Sequence, residues 1–166
     1  MAKARRAAGS PAAGQARLVD ALAQSAFVTM AELSKVGADH ELSLTQLRVL
    51  AILRDRRPRM ADLAAYLGLE RSTMTGLVDR AERRGLIARA PSDDDGRAVD
   101  VTLSRDGHTL AERVYADVKR ALSPQTDQLT AAEQRRLHAL LRKMLAPLEA
   151  RAEAATNVRG NRSRRS

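Results

Sequence analysis

Cysteine and tryptophan are absent from this 166-residue sequence, and its aromatic residues number only three, Phe27, Tyr66 and Tyr115. Without cysteine the chain has no disulfide, no thiolate zinc ligand, no cysteine nucleophile and no thiol redox sensor. With so few aromatic residues, the core must be built from aliphatic side chains and methionine, which favours helix-on-helix packing. We therefore expect a helix-rich protein that is compatible with the reducing cytoplasm.

Long apolar runs are also missing. No stretch of about 18 uncharged apolar residues occurs, and the basic N-terminal segment MAKARRAAGSPAAGQ has no apolar run behind it. We expect neither a membrane span nor a standard secretory signal, and hence a cytoplasmic protein.

Motifs for metal binding and catalysis are equally scarce. His40, His108 and His138 lie far apart without partners at ligand spacing, and the acidic run at 93–95 lacks the remaining oxygen ligands of a calcium loop. The sequence shows no glycine-rich phosphate loop and no nucleophile elbow. We expect no metal, no cofactor and no enzymatic activity.

Positive charge is concentrated at the two ends of the chain. The net charge is +9, but residues 1–17 and 156–166 each hold four basic residues and no acidic one, which leaves 21 basic and 20 acidic residues between them. Both ends are rich in small and basic residues, so we predict disordered tails over 1–14 and 156–166. The tails either solubilise the protein or act as basic arms that contact phosphate. The body must attract phosphate through a few well-placed arginines.

The stretch from residue 60 to 103 begins with a predicted helix-turn-helix. Gly68 marks the bend between two short helices. The second helix buries a stripe with i, i+3, i+4, i+7 spacing, formed by Met74, Leu77, Val78 and Ala81. Its opposite face is left free to enter a DNA groove and carries Arg71, Ser72, Thr73, Thr75, Asp79, Arg80 and Arg83.

A β-hairpin is predicted to follow, with the strands LIARA and AVDVTL around the loop PSDDDGR. Such a hairpin beside a helix-turn-helix is a wing, and its tip carries Asp95-Gly96-Arg97. The loop is acidic for a surface that faces DNA. Asp93 and Asp94 either point away from it or pair with arginines such as Arg89. We assign residues 45–103 to the DNA-binding region.

Helices with apolar stripes are predicted on both sides of this region. One lies in residues 15–44, and two lie in residues 104–155, the second opening with a capping box from Thr130 to Glu133. The stripes exceed what a small DNA-binding core can cover. We therefore predict N- and C-terminal dimerisation helices. The alternative is a three-helix cap within one chain.

Over roughly residues 16 to 150, the order of elements resembles the MarR family of winged helix-turn-helix transcription regulators. The stretch LVDRAERRGLIAR is similar to the family's connection from recognition helix to wing, and Asp95-Gly-Arg97 with VTLSRDG is similar to its D-x-R and Leu-Thr-x-x-Gly signatures. The spacing of the helix-turn-helix also fits, at Ala64, Gly68, Met74 and Leu77. The expected fold is mainly α with a small β-hairpin wing, a winged helix-turn-helix core and terminal dimerisation helices.

The resemblance implies a homodimer on double-stranded DNA, with recognition helices in successive major grooves of a pseudo-palindromic operator and wings in the flanking minor grooves. Arg97 at the wing tip suits a narrow minor groove, and the resemblance assigns Asp95 the role of orienting that arginine. Gly76 departs from the family pattern, where a longer, often basic side chain is common. It either removes a contact or allows the backbone to approach DNA closely.

Recognition-helix residues are expected to divide the work by chemistry. Ser72, Thr73 and Thr75 are short hydroxyl side chains near the helix N-terminus, which can donate to phosphates or base edges. Arg71 and Arg80 are suited to bidentate contact with guanine or, failing that, to holding phosphate.

The resemblance also implies a small phenolic or anionic aromatic effector in a crevice between the dimerisation helices and the winged region. Candidate lining residues are Phe27, His40, Arg48 and Tyr115, each of which is also readable as an ordinary core or surface residue. The leading prediction is a sequence-specific dimeric repressor released by such a ligand. The alternatives are an architectural or weakly specific DNA-binding protein without an effector, and a winged-helix module used only for protein contacts.

Overall fold

Six helices and a two-stranded hairpin make up the part of the chain that the computed structural model describes, residues 11–92 and 98–162, with side chains described as far as 147. In chain order the elements are α1 (Pro11–Asp39), α2 (Leu44–Asp55), α3 (Met60–Leu67), α4 (Arg71–Arg83), β1 (Ile87–Pro91), β2 (Val99–Leu103), α5 (Arg105–Thr126) and α6 (Ala131–Arg162). The strands pair antiparallel, with Ile87 opposite Leu103. The predicted mainly helical fold with a hairpin wing is confirmed.

Local hydrogen bonds explain where two of these helices begin. The Ser43 hydroxyl accepts from the backbone N–H of Gln46, and the Ser43 N–H in turn donates to the side-chain oxygen of Gln46. The predicted box before α6 also forms, because Glu133 Oε2 accepts from the Thr130 backbone N–H at 2.9 Å. Each box satisfies donors that the first helical turn leaves unpaired.

Both terminal helices extend beyond the predicted boundaries. Helix α1 begins at Pro11 and α6 continues to Arg162, so residues 11–14 and 156–162 are helical where disordered tails were predicted. Proline suits the first turn of a helix, and the alanines at 12 and 13 are strong helix formers. Residues 156–162 hold no alanine, and their backbone continues α6. Residues 1–10 and 163–166 of the predicted tails lie outside the described residues.

The core lies where α2 to α5 and the hairpin meet. Leu63, Met74, Val78 and Val101 have no exposed surface. Helix α1 adds only Val36 and Gly37 to the buried set, and every α6 side chain described, from 131 to 147, is exposed. No helix in the described part of the chain combines the length and apolarity needed to cross a membrane.

A tight joint connects the end of α4 to the start of α5. Ser104, the N-cap of α5, donates its hydroxyl to the Gly85 carbonyl at 2.5 Å, and its backbone N–H donates to the Leu86 carbonyl at 3.0 Å. A Cβ on Gly107 would lie 1.9 Å from the Leu86 carbonyl oxygen. Only glycine fits this close approach of helix and backbone.

Candidate nucleic-acid interface

Helix α4 is fixed by its turn and by one buried stripe. Gly68 ends α3 in the left-handed region, with φ 67°, and its N–H bonds back to the carbonyls of Ala64 and Ala65, a conformation that glycine adopts without strain. The predicted stripe is buried in full, with Met74, Leu77, Val78 and Ala81 against the core. The outward face therefore presents exposed polar residues, which are Arg71, Ser72, Thr73, Thr75, Arg80 and Arg83.

The hydroxyl groups on this face differ in what they can do. Thr75 Oγ1 donates to the Arg71 carbonyl at 2.9 Å, so its proton is used within the helix. A hydroxyl oxygen also accepts hydrogen bonds, and the predicted contact of Thr75 with DNA stays a prediction. Ser72 and Thr73 are exposed on the first turn of α4. They stay the candidates for donation to phosphate or to base acceptors.

Asp79 is not free to face a groove, contrary to the prediction from periodicity. Arg89 on β1 donates to Asp79 Oδ1 and also to Glu82 Oε2, the latter at 3.1 Å. One guanidinium thus binds two carboxylates of α4 and offsets part of their negative charge. Helical periodicity could not show this contact because the partner belongs to the wing, and Arg89 was predicted only as a partner for loop acids.

The base of the wing is anchored to the start of α3. The Val101 N–H donates to the Pro58 carbonyl at 3.0 Å, and Arg59 forms an antiparallel bridge with Asp100. Asp62 accepts a hydrogen bond from the backbone of Arg59, and burial raises the pKa of its carboxyl, with the nearby charge of Asp100 adding to the rise. This contact between β2 and the segment before α3 was not predicted from the sequence. The signal for it was that the residues just before α3 can pair with a strand.

Asp95 and Arg97, together with Asp93 and Asp94, lie outside the described residues. On the two sides of the loop that contains them, the Ser92 N–H donates to the Ala98 carbonyl at 3.0 Å. The predicted minor-groove contact of Arg97 stays a prediction.

The four candidate effector residues occupy different surroundings. His40 Nε2 lies 2.8 Å from Asp117 Oδ2 on α5, and this bond lowers the pKa of the Asp117 carboxyl. Tyr115 stacks beneath Arg54, with 4.0 Å between the guanidinium carbon and the ring centroid. Phe27 is 73% exposed on α1, and Arg48 is exposed on α2.

These residues do not line the small cleft between α2 and α4, which is bordered by Leu42, Val49, Leu50, Leu77 and Arg84 among others. His40 and Tyr115 both lie where α5 meets the N-terminal helices, because each contacts a residue across that boundary. The predicted effector crevice and its lining by Phe27, His40, Arg48 and Tyr115 stay a prediction.

Comparison with known proteins gives this arrangement a context. Residues 40–98 match the model of the MarR family. The chain is 30% identical over 131 residues to the homoprotocatechuate degradative operon repressor of Escherichia coli, covering 78% of this chain and 88% of the relative. It is 30% identical over 110 residues to the transcriptional repressor NicR of Pseudomonas putida, covering 66% and 70%.

Solved structures agree with the sequence relatives. NadR in complex with 4-hydroxyphenylacetate superposes with a TM-score of 0.68 at 25% identity, over 77% of this chain and 89% of that one. Apo MarR from Escherichia coli gives a TM-score of 0.61 at 26% identity, over 78% and 95%. The relatives are regulators of transcription and not enzymes, as predicted for this chain. With its winged helix-turn-helix, its exposed recognition face and these relatives, the chain belongs to the MarR family of DNA-binding transcription regulators.

Proposed function

We propose that the chain is a cytoplasmic, homodimeric, sequence-specific repressor that binds a pseudo-palindromic operator and is released by a small phenolic or anionic aromatic ligand. One observation carries the DNA-binding part of this proposal. Helix α4 buries its whole apolar stripe and turns hydroxyl and guanidinium groups outward. A helix of this composition fits the major groove, where base edges offer acceptors and donors in a distinct pattern.

Two copies are proposed because the terminal helices leave apolar side chains in water. On α1, Leu18 is 63% exposed and Phe27 73%, and on α6, Leu140 is 51% and Met144 47% exposed. Large apolar side chains exposed along both helices indicate an interface. In the proposed division of the chain, residues 15–44 and 104–155 dimerise and residues 45–103 bind DNA.

The effector is proposed to be a phenolic carboxylate. The relative NadR is described in complex with 4-hydroxyphenylacetate, and another relative is the repressor of a homoprotocatechuate degradative operon. Near the boundary of α5 with the N-terminal helices, His40, Arg54 and Tyr115 supply an imidazole, a guanidinium and a phenol ring. These groups suit a carboxylate and an aromatic ring.

A random-pool binding selection tests the DNA-binding proposal. We expect enrichment of an inverted repeat whose half-sites lie about one helical turn, or 34–36 Å, apart. Arg97→Ala is expected to weaken binding and to reduce the preference for narrow A·T-rich flanks. Equal affinity for operator and random DNA would instead establish the architectural alternative, and unchanged activity in both Arg80→Ala and Arg97→Ala would establish the protein-contact module.

Sedimentation of two matched variants tests the dimer. Leu140→Lys places a charge in the apolar stripe of α6, and we expect it to produce monomers and to abolish binding to the full inverted repeat. Ala139→Lys places the same charge on the other side of α6 and is expected to leave the dimer intact. A wild-type chain that sediments as a monomer would support the single-chain cap and overturn this part of the proposal.

Titration with 4-hydroxyphenylacetate tests the effector. We expect saturable binding by calorimetry, release of operator DNA, and loss of both in Tyr115→Ala. Saturable binding that leaves the operator affinity unchanged would overturn the proposed coupling, and absence of binding across a panel of phenolic carboxylates would overturn the ligand class.

A further inference from the structure

Gly76 lies in the middle of the outward face of α4. Successive residues of a helix are rotated by about 100°, so Ser72, Gly76 and Arg83 lie opposite the buried stripe. Ser72 and Arg83 are exposed, whereas Gly76 is only partly exposed. Some other group therefore covers the glycine.

That group is the side chain of Arg80. A Cβ built on Gly76 would lie 3.5 Å from Arg80 Nη1, so the guanidinium occupies the space that a side chain at position 76 would take. The direction follows from helix geometry, because side chains lean toward the helix N-terminus and cover the turn before their own Cα. Arg80 thereby carries its guanidinium one turn toward the start of α4.

Within the described ranges 11–92 and 98–147, the Arg80 side chain makes no hydrogen bond or ion pair, and only its backbone takes part in the hydrogen bonds of the helix. The two acidic residues nearest to it along α4, Asp79 and Glu82, are both bound by Arg89. The wing strand therefore removes the carboxylates that would compete for Arg80. The guanidinium is left with its donors available to a ligand in the groove.

We propose that Gly76 and Arg80 together determine base specificity. Because residue 76 has no side chain, the Arg80 guanidinium can lie over the N-terminal half of the recognition helix. This inference rests on the proposed function. The N-terminal half of a recognition helix contacts base edges, and a guanidinium there is matched to guanine O6 and N7. Gly76 acts here as a positioning residue and Arg80 as the base-contacting one.

The test compares base preferences in a random-pool selection for wild type, Arg80→Ala, Gly76→Ala, Gly76→Met and the double variant Gly76→Met/Arg80→Ala. Wild type should prefer one G·C pair in each half-site by about 5- to 150-fold. Arg80→Ala and Gly76→Met should each lose the preference at that same pair, and the double variant should lose no more. Gly76→Ala is the matched control, since its added Cβ fits beside Arg80 at ordinary contact distance, and it should keep the preference.

Arg80→Lys keeps the test decisive if Gly76→Met fails to fold. Lysine preserves the charge but lacks the planar fork, so the salt dependence of binding should hold while the preference is lost. Retention of the preference in Arg80→Ala, or its loss at a different base pair in Gly76→Met, would overturn the inference while leaving the proposed function standing. A wild-type protein without any base preference would overturn both.

Discussion

Arg89 Nη2 donates to Asp79 Oδ1, and this bond joins the first strand of the wing to the recognition helix. The same guanidinium also holds Glu82, three residues further along α4. The guanidinium on the wing strand thus offsets part of the negative charge of two carboxylates that would repel phosphate. The net charge on this part of the recognition helix therefore depends on the position of β1.

Arg89→Ala is expected to weaken DNA binding and to make the affinity fall less steeply with added salt, because it removes one positive charge and leaves the two carboxylates of α4 to repel phosphate, a repulsion that salt screens. The loss of folding free energy should be small, about 0.5–1 kcal/mol, since all three side chains are partly exposed. Fluorescence anisotropy at several salt concentrations measures the first effect and urea unfolding the second. Arg105→Ala, on the exposed start of α5, serves as the control for a general loss of positive charge.

Adding Asp79→Asn and Glu82→Gln to Arg89→Ala separates charge from wing position. If charge dominates, the triple variant should regain much of the lost affinity. If the wing moves, affinity should stay low and protection of the minor-groove flanks should be lost in a footprint. An Arg89→Ala variant with wild-type affinity and salt dependence would contradict both effects.

Gly107→Ala is expected to destabilise the fold by about 3 kcal/mol or more. Its Cβ would lie 1.9 Å from the Leu86 carbonyl oxygen and 2.9 Å from the Leu86 carbonyl carbon, both of them backbone atoms that cannot turn away. Thermal unfolding followed by circular dichroism measures the change. A variant that unfolds within a degree or two of wild type would show that α5 can shift away from the α4–β1 turn.

Gly76→Ala, in contrast to Gly107→Ala, is expected to stabilise the fold. An added Cβ would lie 3.5 Å from Arg80 Nη1, an ordinary contact distance, and alanine is favoured over glycine in a helix interior by about 1 kcal/mol. The variant should therefore unfold at higher urea concentration than wild type. A lower midpoint would mean that the backbone at position 76 departs from regular helix in solution.

Asp62→Asn should stabilise the protein at neutral pH, and the gain should shrink in acid. Burial raises the pKa of the Asp62 carboxyl, so the charged form costs folding free energy above that pKa, and protonation removes the cost as pH falls toward the ordinary value of about 3.9. The asparagine oxygen can still accept from the Arg59 backbone. Urea midpoints at several values between about pH 3 and pH 7 provide the measurement, and a gain that grows in acid would contradict it.

Asp117→Asn should show the reverse pH dependence. The hydrogen bond from His40 lowers the pKa of the Asp117 carboxyl, so its contribution is present above the ordinary pKa of about 3.9 and is lost as pH falls through the lowered pKa. The variant should be less stable than wild type at neutral pH and equal to it in strong acid. Glu112→Gln, exposed on the same helix, controls for the loss of one negative charge.

Much of the fold could be predicted from the sequence, because local patterns determine it. The stripe of α4, the bend at Gly68 and the boxes at Ser43 and Thr130 depend on residues close together in the chain. The site could be predicted only in part. Arg89 reaches a helix ten residues earlier, and Asp62 is buried by an element almost forty residues later, so neither pairing leaves a periodic signal.

The ends of the long helices show a different limit. Composition predicted disorder near Pro11 and beyond residue 156, whereas the backbone there belongs to the two long helices. The roles proposed for Phe27 and Arg97 depend on a ligand or on DNA, and the sequence indicates them only through resemblance.

The contact of Gly107 with Leu86 has a mechanical meaning as well as a stability cost. Helix α5 has 22 residues and so extends about 33 Å from this joint. Because the joint is closely packed, α5 cannot rotate there without moving the recognition helix. A small tilt imposed far along α5 would be transmitted as a rotation of the whole winged region. In the proposed dimer, the angle of α5 would therefore set the spacing between the two recognition helices.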